Sequence, residues 1–137
     1  MISIAIVDTG PLVAGANRAD PAHDACMEIL RSEDLMLTIP AFCLAEASYI
    51  VGRSQGARIE ALFLRGLKDF DVQAPTEDDL RRMAALIEEP SETPMSATDA
   101  SVVALAERLG TDLILTLDRR HFDSVTPRHC DGFRLLP

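Results

Sequence analysis

Residues 2–15 read I-S-I-A-I-V-D-T-G-P-L-V-A-G, and the rest of the chain is organised around this stretch. Ile2, Ile4 and Ile6, with Ala5 and Val7 between them, place β-branched residues at both parities, as expected of a strand buried on both faces of a parallel sheet. Asp8 ends the run. Thr9-Gly10 then supplies a turn, and Pro11 suits the first position of a helix. Asp8 is also the only charged side chain before Arg18. A lone carboxylate at the end of a buried strand is costly unless hydrogen bonds or a cation satisfy it, and that edge of an open α/β sheet is where ligands bind. Asp8 as a simple cap of the next helix is the competing reading, and the stretch alone leaves both open.

The 137 residues are expected to form one domain, large enough for a core without staples. Hydrophobic residues at 47% and charged residues at 26% exclude a disordered chain. The uncharged run at 35–45 is too short to cross a membrane and is broken by Pro40. The N-terminus carries no basic region and opens as a strand, so no signal peptide is expected. Cys26, Cys43 and Cys130 have no C-x-x-C spacing, and an odd count does not suggest a disulfide framework, so a reducing cytoplasm is the expected location. Thirteen basic against 22 acidic residues give a net charge of −9. That balance argues against a passive electrostatic binder of nucleic acid, but not against an enzyme that draws divalent cations to its own carboxylates.

Outward from the first strand, Asp20-Pro21 and the spacing of Ala25, Cys26, Ile29 and Leu30 predict an amphipathic helix over 21–32, with His23 on its surface. Residues 35–39 form a second apolar strand closed by Pro40. The run A-F-C-L-A-E-A-S-Y-I-V-G that follows reads as a helix apolar on nearly every face. Glu46 is the only charge between Asp34 and Arg53, and its helical neighbours Phe42, Cys43, Tyr49 and Ile50 offer it no salt bridge. It either points into a polar pocket or lies on an exposed uncharged face, and the pocket is favoured.

A further helix is expected over 53–67, then a short strand at 70–73. Thr76 and Asp79 form a capping box for a helix whose core stripe is Leu80, Met83, Ala84 and Ile87. Residues 88–98, with Pro90 and Pro94, form a loop. Ser96-Ala97-Thr98-Asp99 opens the next helix, which stops at Gly110. Asp99 either reaches back to Ser96 as a cap or projects inward on the stripe of Val102, Val103 and Ala106. L-I-L-T-L then repeats the opening arrangement, a buried strand ending in Asp118 and a turn, and 133–136 is expected as an edge strand.

The alternation of strands and helices implies an α/β fold with a mainly parallel sheet and right-handed crossovers. Asp8 and Asp118 end strands, Asp99 begins a helix, and Glu46 lies about two turns into one, so all four can meet at one sheet edge. Crowded carboxylates shift toward protonation unless a cation neutralises them. Oxygen ligands without Cys/His spacing point to Mg²⁺ or Mn²⁺ rather than zinc. Such an ion activates water and stabilises phosphoryl oxygens, so metal-dependent phosphodiester hydrolysis suits the set. Thr116 has a hydroxyl placed to orient a carboxylate or water, although threonine is also common in strands for propensity alone; Thr9 is similar and weaker. Arg119, Arg120 and His121 could meet phosphates, solvent or a partner.

The motifs V-D-T-G-P-L, I-P-A-F-C-L-A-E-A, T-D-A-S-V-V-A-L-A-E-R-L-G, L-I-L-T-L-D-R-R-H-F and F-R-L-L-P, in this order over essentially the whole chain, resemble a PIN-domain protein of the VapC toxin type. The resemblance implies a three-layer α/β/α fold and a Mg²⁺-dependent ribonuclease held inactive by a cognate antitoxin. It places the family's acidic quartet on Asp8, Glu46, Asp99 and Asp118, with the polar strand residue on Thr116. It further implies a homodimer and an antitoxin seated in the acidic groove. The 88–98 loop, with its extra acids and prolines, is where the chain departs from the pattern.

Three other classes meet obstacles. Asp8-Thr9-Gly10 matches the D-T-G of aspartic proteases, but those are β-rich and the helical periodicities here are long. A phospho-accepting receiver domain needs a lysine at the end of a late strand, and the single lysine is Lys68. A PIN fold kept as an RNA-binding or protein-interaction module is disfavoured by the intact acid set.

Overall fold

In the computed structural model, which describes residues 2–137, β1 (Ser3–Val7) is the middle strand of five. The others are β2 (Leu35–Pro40), β3 (Asp71–Gln73), β4 (Leu113–Leu115) and β5 (Arg134–Leu136), in spatial order β3-β2-β1-β4-β5. Every pairing is parallel, with Ile6 opposite both Thr38 and Ile114. Ala5, Ile6 and Val7 are fully buried, as β-branched residues at both parities require of a central strand. The order reverses at β1: the chain first adds β2 and β3 on one side, then returns to add β4 and β5 on the other. The crevice at the carboxyl ends of β1 and β4 is therefore the switch point of the sheet.

Seven helices connect the strands: α1 (Thr9–Gly15), α2 (His23–Leu30), α3 (Ala41–Gln55), α4 (Ala57–Gly66), α5 (Glu77–Glu88), α6 (Ala97–Leu109) and α7 (Arg119–Asp123). Helix α1 packs on α2 and α3, and α3 on α4; α5 packs on α6. Right-handed crossovers put the first group on one face of the sheet and the α5–α6 pair on the other, giving an α/β/α sandwich. Residues 100–106 of α6 are all buried, and alanine and serine among them let this helix lie close to the sheet.

The α5–α6 hairpin is locked by ion pairs. Arg82 donates to both oxygens of Glu107 at 2.8 and 3.0 Å, and Arg108 Nε donates to Asp79 at 2.8 Å. These pairs turn α5 away from the predicted stripe: Asp79, Met83 and Leu86 face inward, while Leu80, Ala84 and Ile87 are exposed. The helix expected over 53–67 starts later, because α3 runs on past Gly52 to Gln55. Gly56 has φ +91° and ψ 170°, a conformation open to glycine alone, and it ends α3 and starts α4. The predicted turn after Asp118 is the short helix α7. His23 is half-buried rather than on the surface, with Nδ1 2.8 Å from the Ala14 carbonyl, so it ties α2 to α1. No helix among the described residues is long and apolar enough to cross a membrane.

Candidate active site

Asp8 lies at the carboxyl end of β1 and is 6% exposed. It stands at the N-cap of α1, yet its side chain makes no capping bond. Instead Oδ2 accepts from the Thr116 hydroxyl at 2.8 Å, and the Cys43 thiol lies 3.8 Å from Oδ1. Thr116 also accepts from the Asp118 N–H at 3.0 Å, so one hydroxyl fixes the ends of both β1 and β4. Burial pushes the Asp8 carboxyl upward; the Thr116 hydroxyl and the Thr9 N–H pull against this, and repulsion from Asp99 and Glu46 adds to it.

Asp99 separates its two readings in the same way. The Ser96 hydroxyl accepts from the Asp99 N–H at 3.1 Å, but the carboxylate does not return the bond, whereas Thr76 and Asp79 close their box in both directions. The Asp99 carboxylate is directed elsewhere, with Oδ2 3.7 Å from His121 Nδ1. Burial raises its pKa, His121 and the Ser96 hydroxyl oppose the rise, and Asp118 and Glu46 reinforce it. His121 Nδ1 also contacts Asp118 Oδ2 directly, an i,i+3 pair made possible by α7. Glu46 is exposed, and its Oε2 accepts from the Thr98 hydroxyl at 3.0 Å, which joins α3 to the start of α6.

Asp8, Glu46, Asp99 and Asp118 all line one open cavity of about 400 Å³, with Asp20, Thr9 and Gly10 and with no lysine or arginine. Sequence reasoning did not place Asp20 here. Its Oδ1 accepts from the Ala22 N–H at 2.8 Å, a turn that precedes α2; the helix starts at His23 with Ala22 at its N-cap, so Asp20 is not the cap that Asp20-Pro21 suggests. Nor did it assign the roles of Cys43 against Asp8 and His121 between Asp99 and Asp118, which depend on contacts between distant elements. Thr9 Oγ1 is buried and has no hydrogen-bond partner among the described residues.

This donor set suits a hard divalent cation: clustered carboxylates, with Asp8 and Asp99 held above the ordinary pKa by burial, an orphaned hydroxyl oxygen and no lysine or arginine in the lining. As the side chains stand, Thr116, Thr98 and His121 each hold a carboxylate, and among the described residues no three acidic, histidine or cysteine groups enclose a common point.

A parallel α/β/α sandwich with carboxylates gathered at its switch point defines the class: an acid-pocket protein of the kind the motifs resemble. The comparisons agree. The PIN domain family model matches residues 5–126. Ribonuclease VapC26 of Mycobacterium tuberculosis is 31% identical over 134 residues, covering 96% of this chain and 99% of that protein. The chain belongs to the PIN-domain family. Among solved structures, the sarcin-ricin-loop-cleaving toxin VapC20 of M. tuberculosis superposes with a TM-score of 0.76 at 19% identity, covering 85% of this chain and 91% of that one. VapBC2 of Rickettsia felis, bound to a promoter DNA fragment, superposes at 0.70 with 16% identity, covering 98% and 99%.

Proposed function

We propose that this chain is a divalent-metal-dependent endoribonuclease toxin, with Asp8, Glu46, Asp99 and Asp118 as its metal-binding and catalytic carboxylates and Thr116 as the residue that positions Asp8. The observation that carries this reading is the convergence of these four carboxylates, from four different parts of the fold, on one cavity lined by no basic side chain. The relationship to ribonuclease VapC26 supplies RNA as the substrate class. When bound, Mg²⁺ or Mn²⁺ would supply charge neutralisation and water activation. The chain's own groups do the rest. Thr116 orients Asp8, Thr98 steadies Glu46, and His121 lies between Asp99 and Asp118. In-line attack by water leaves a 5′-phosphate and a 3′-hydroxyl; a 2′,3′-cyclic phosphate product requires attack by the ribose hydroxyl instead and overturns this mechanism.

The partners proposed beside RNA are a cognate antitoxin and a second copy of the chain, which the exposed Leu80–Ala84–Ile87 stripe of α5 would suit. The test is cleavage of a mixed pool of structured RNAs by wild type with Mg²⁺, wild type with EDTA, and Asp8→Asn with Mg²⁺. Cutting by the first alone is expected. The second reading, a binding module without catalysis, is favoured only by the absence of three converged ligands among the described residues. RNA or partner binding by folded, antitoxin-free protein that cuts nothing and takes up no Mn²⁺ would establish it.

A further inference from the structure

Beside the acid cavity lies a second one of about 270 Å³, built from the 89–95 loop and from α7 with the residues after it. His121 connects the two: its Nδ1 faces Asp99 and Asp118 of the acid cavity, and it lines the second cavity together with Glu89, Ser91, Thr93, Ser124 and Thr126. A group held here therefore sits one imidazole away from the carboxylates. The cavity falls just short of the roughly 300–1,000 Å³ of drug-sized ligand sites, so it suits one planar ring rather than an extended chain.

The lining selects the ring's chemistry. Four hydroxyl side chains alternate with apolar ones such as Met95 and Val125, no lysine or arginine lines it, and Glu89 gives it a negative charge; a phosphate is therefore repelled and a neutral ring with polar edges admitted. The loop is held in shape by Ser91, whose hydroxyl donates to the Thr93 carbonyl and accepts from the Thr93 N–H, both at 3.1 Å. Glu89 offers acceptors only, which match donors on a base edge. Guanine presents two adjacent donors to a carboxylate, adenine and cytosine an exocyclic amine, and uracil one N–H between two repelling carbonyls. Single-stranded RNA is read in this way, by splayed bases stacked on ring side chains and bonded at their edges.

We propose that this cavity is a nucleobase subsite, which takes one unpaired base next to the scissile phosphate, stacks it near His121 and selects through Glu89 for a base with an exocyclic amine, guanine foremost. The position of the subsite along the substrate rests on the ribonuclease reading; its ability to hold a base does not. The test has two arms. In the first, the four free nucleosides, which carry no phosphate, are titrated into full-length protein and followed by amide NMR shifts. Saturable shifts at Ser91, Thr93, Ser124 and Thr126 are expected, about tenfold weaker in affinity for uridine than for guanosine. Glu89→Gln is expected to erase that difference, and Thr126→Phe, at an exposed position, to fill the cavity and abolish the shifts without changing the melting temperature.

Silence of those amides toward every nucleoside, equal response to uridine and guanosine, or unaltered shifts in Thr126→Phe overturns the proposal. In the second arm, single-stranded oligonucleotides differing only in the base beside the cut are cleaved with Mg²⁺. Wild type is expected to discriminate by about tenfold and Thr126→Phe to cut all alike; cleavage indifferent to that base in wild type overturns the subsite. Nucleoside shifts in a protein that cuts nothing would instead overturn the ribonuclease reading and leave the base site standing.

Discussion

Thr116→Val keeps the shape of a buried side chain while removing one oxygen that serves both the Asp8 carboxylate and the Asp118 backbone. Asp8 loses its hydroxyl donor and the Asp118 N–H loses its acceptor, both at the end of the central sheet. Leaving such groups unpaired costs about 1–3 kcal/mol. The expected result is a lower denaturant midpoint, a drop in kcat, and recovery of both in Thr116→Ser. Asp99→Asn should behave oppositely in stability. Because burial raises the Asp99 pKa above its unfolded value, the folded state binds the proton more tightly, and ionisation weakens the fold as pH rises through the folded pKa. Without divalent ion, Asp99→Asn is therefore expected to melt at or above wild type at neutral pH. The difference should close as pH falls toward 3.8, the ordinary carboxyl value, while cleavage is lost throughout. A mutant that melts lower at neutral pH returns Asp99 to a capping role. Asp8, Glu46 and Asp99 are legible in the sequence because each is a lone charge in an apolar segment, and Asp118, followed by Arg119 and Arg120, because it ends a buried strand. Their roles are not. Thr76/Asp79 and Ser96/Asp99 share one local pattern, and what separates them is a distant partner, Arg108 for the first carboxylate and His121 for the second.

At the level of elements, strands and their order in sequence are readable because β-branched runs and end-of-strand carboxylates are local signals. Helix breaks and helix rotations are not. The sequence separates the helix after Pro40 from the one over 53–67, and only the backbone angle at Gly56 puts the break there and not at Gly52. An alanine carries a Cβ that this region of backbone space excludes, at a cost of about 1–3 kcal/mol. Gly56→Ala is thus expected to lower stability by that amount in chemical denaturation, although no atom stands within 4 Å of the added carbon, so the loss is backbone strain and not a clash. Unchanged stability would mean that α3 and α4 can merge into one helix. The rotation of α5 has a similar origin. Its apolar residues fit two stripes, and the Arg82–Glu107 and Arg108–Asp79 pairs choose the one that buries Met83 and Leu86.

Across the whole molecule, the acid cavity and an apolar groove have no lining residue in common. The groove, about 660 Å³, runs between α1, α2 and α4, lined by Leu12, Met27, Leu30, Leu62 and Phe63, with Arg18 and Arg31 also in its lining. A protein with a net charge of −9 that presents two arginines beside an apolar trough suits an amphipathic helix bearing acidic residues. The chemistry of the groove therefore makes it the place we propose for the cognate antitoxin, in place of the acidic groove that the family resemblance implies. Leu62 tests it. Its side chain is 48% exposed and belongs to the groove but not to the acid cavity, so Leu62→Asp should fold and cut RNA as wild type does. Against the antitoxin from the adjoining reading frame, the introduced carboxylate would be buried without a partner, which makes binding strongly unfavourable. Titration calorimetry should then show affinity falling by about two orders of magnitude, close to the 1–3 kcal/mol of an unpaired buried polar group, and RNA cutting should persist at antitoxin concentrations that silence wild type. Equal affinity in the two proteins would place the antitoxin elsewhere, and loss of cutting by Leu62→Asp alone would mean that the groove and the acid cavity are coupled.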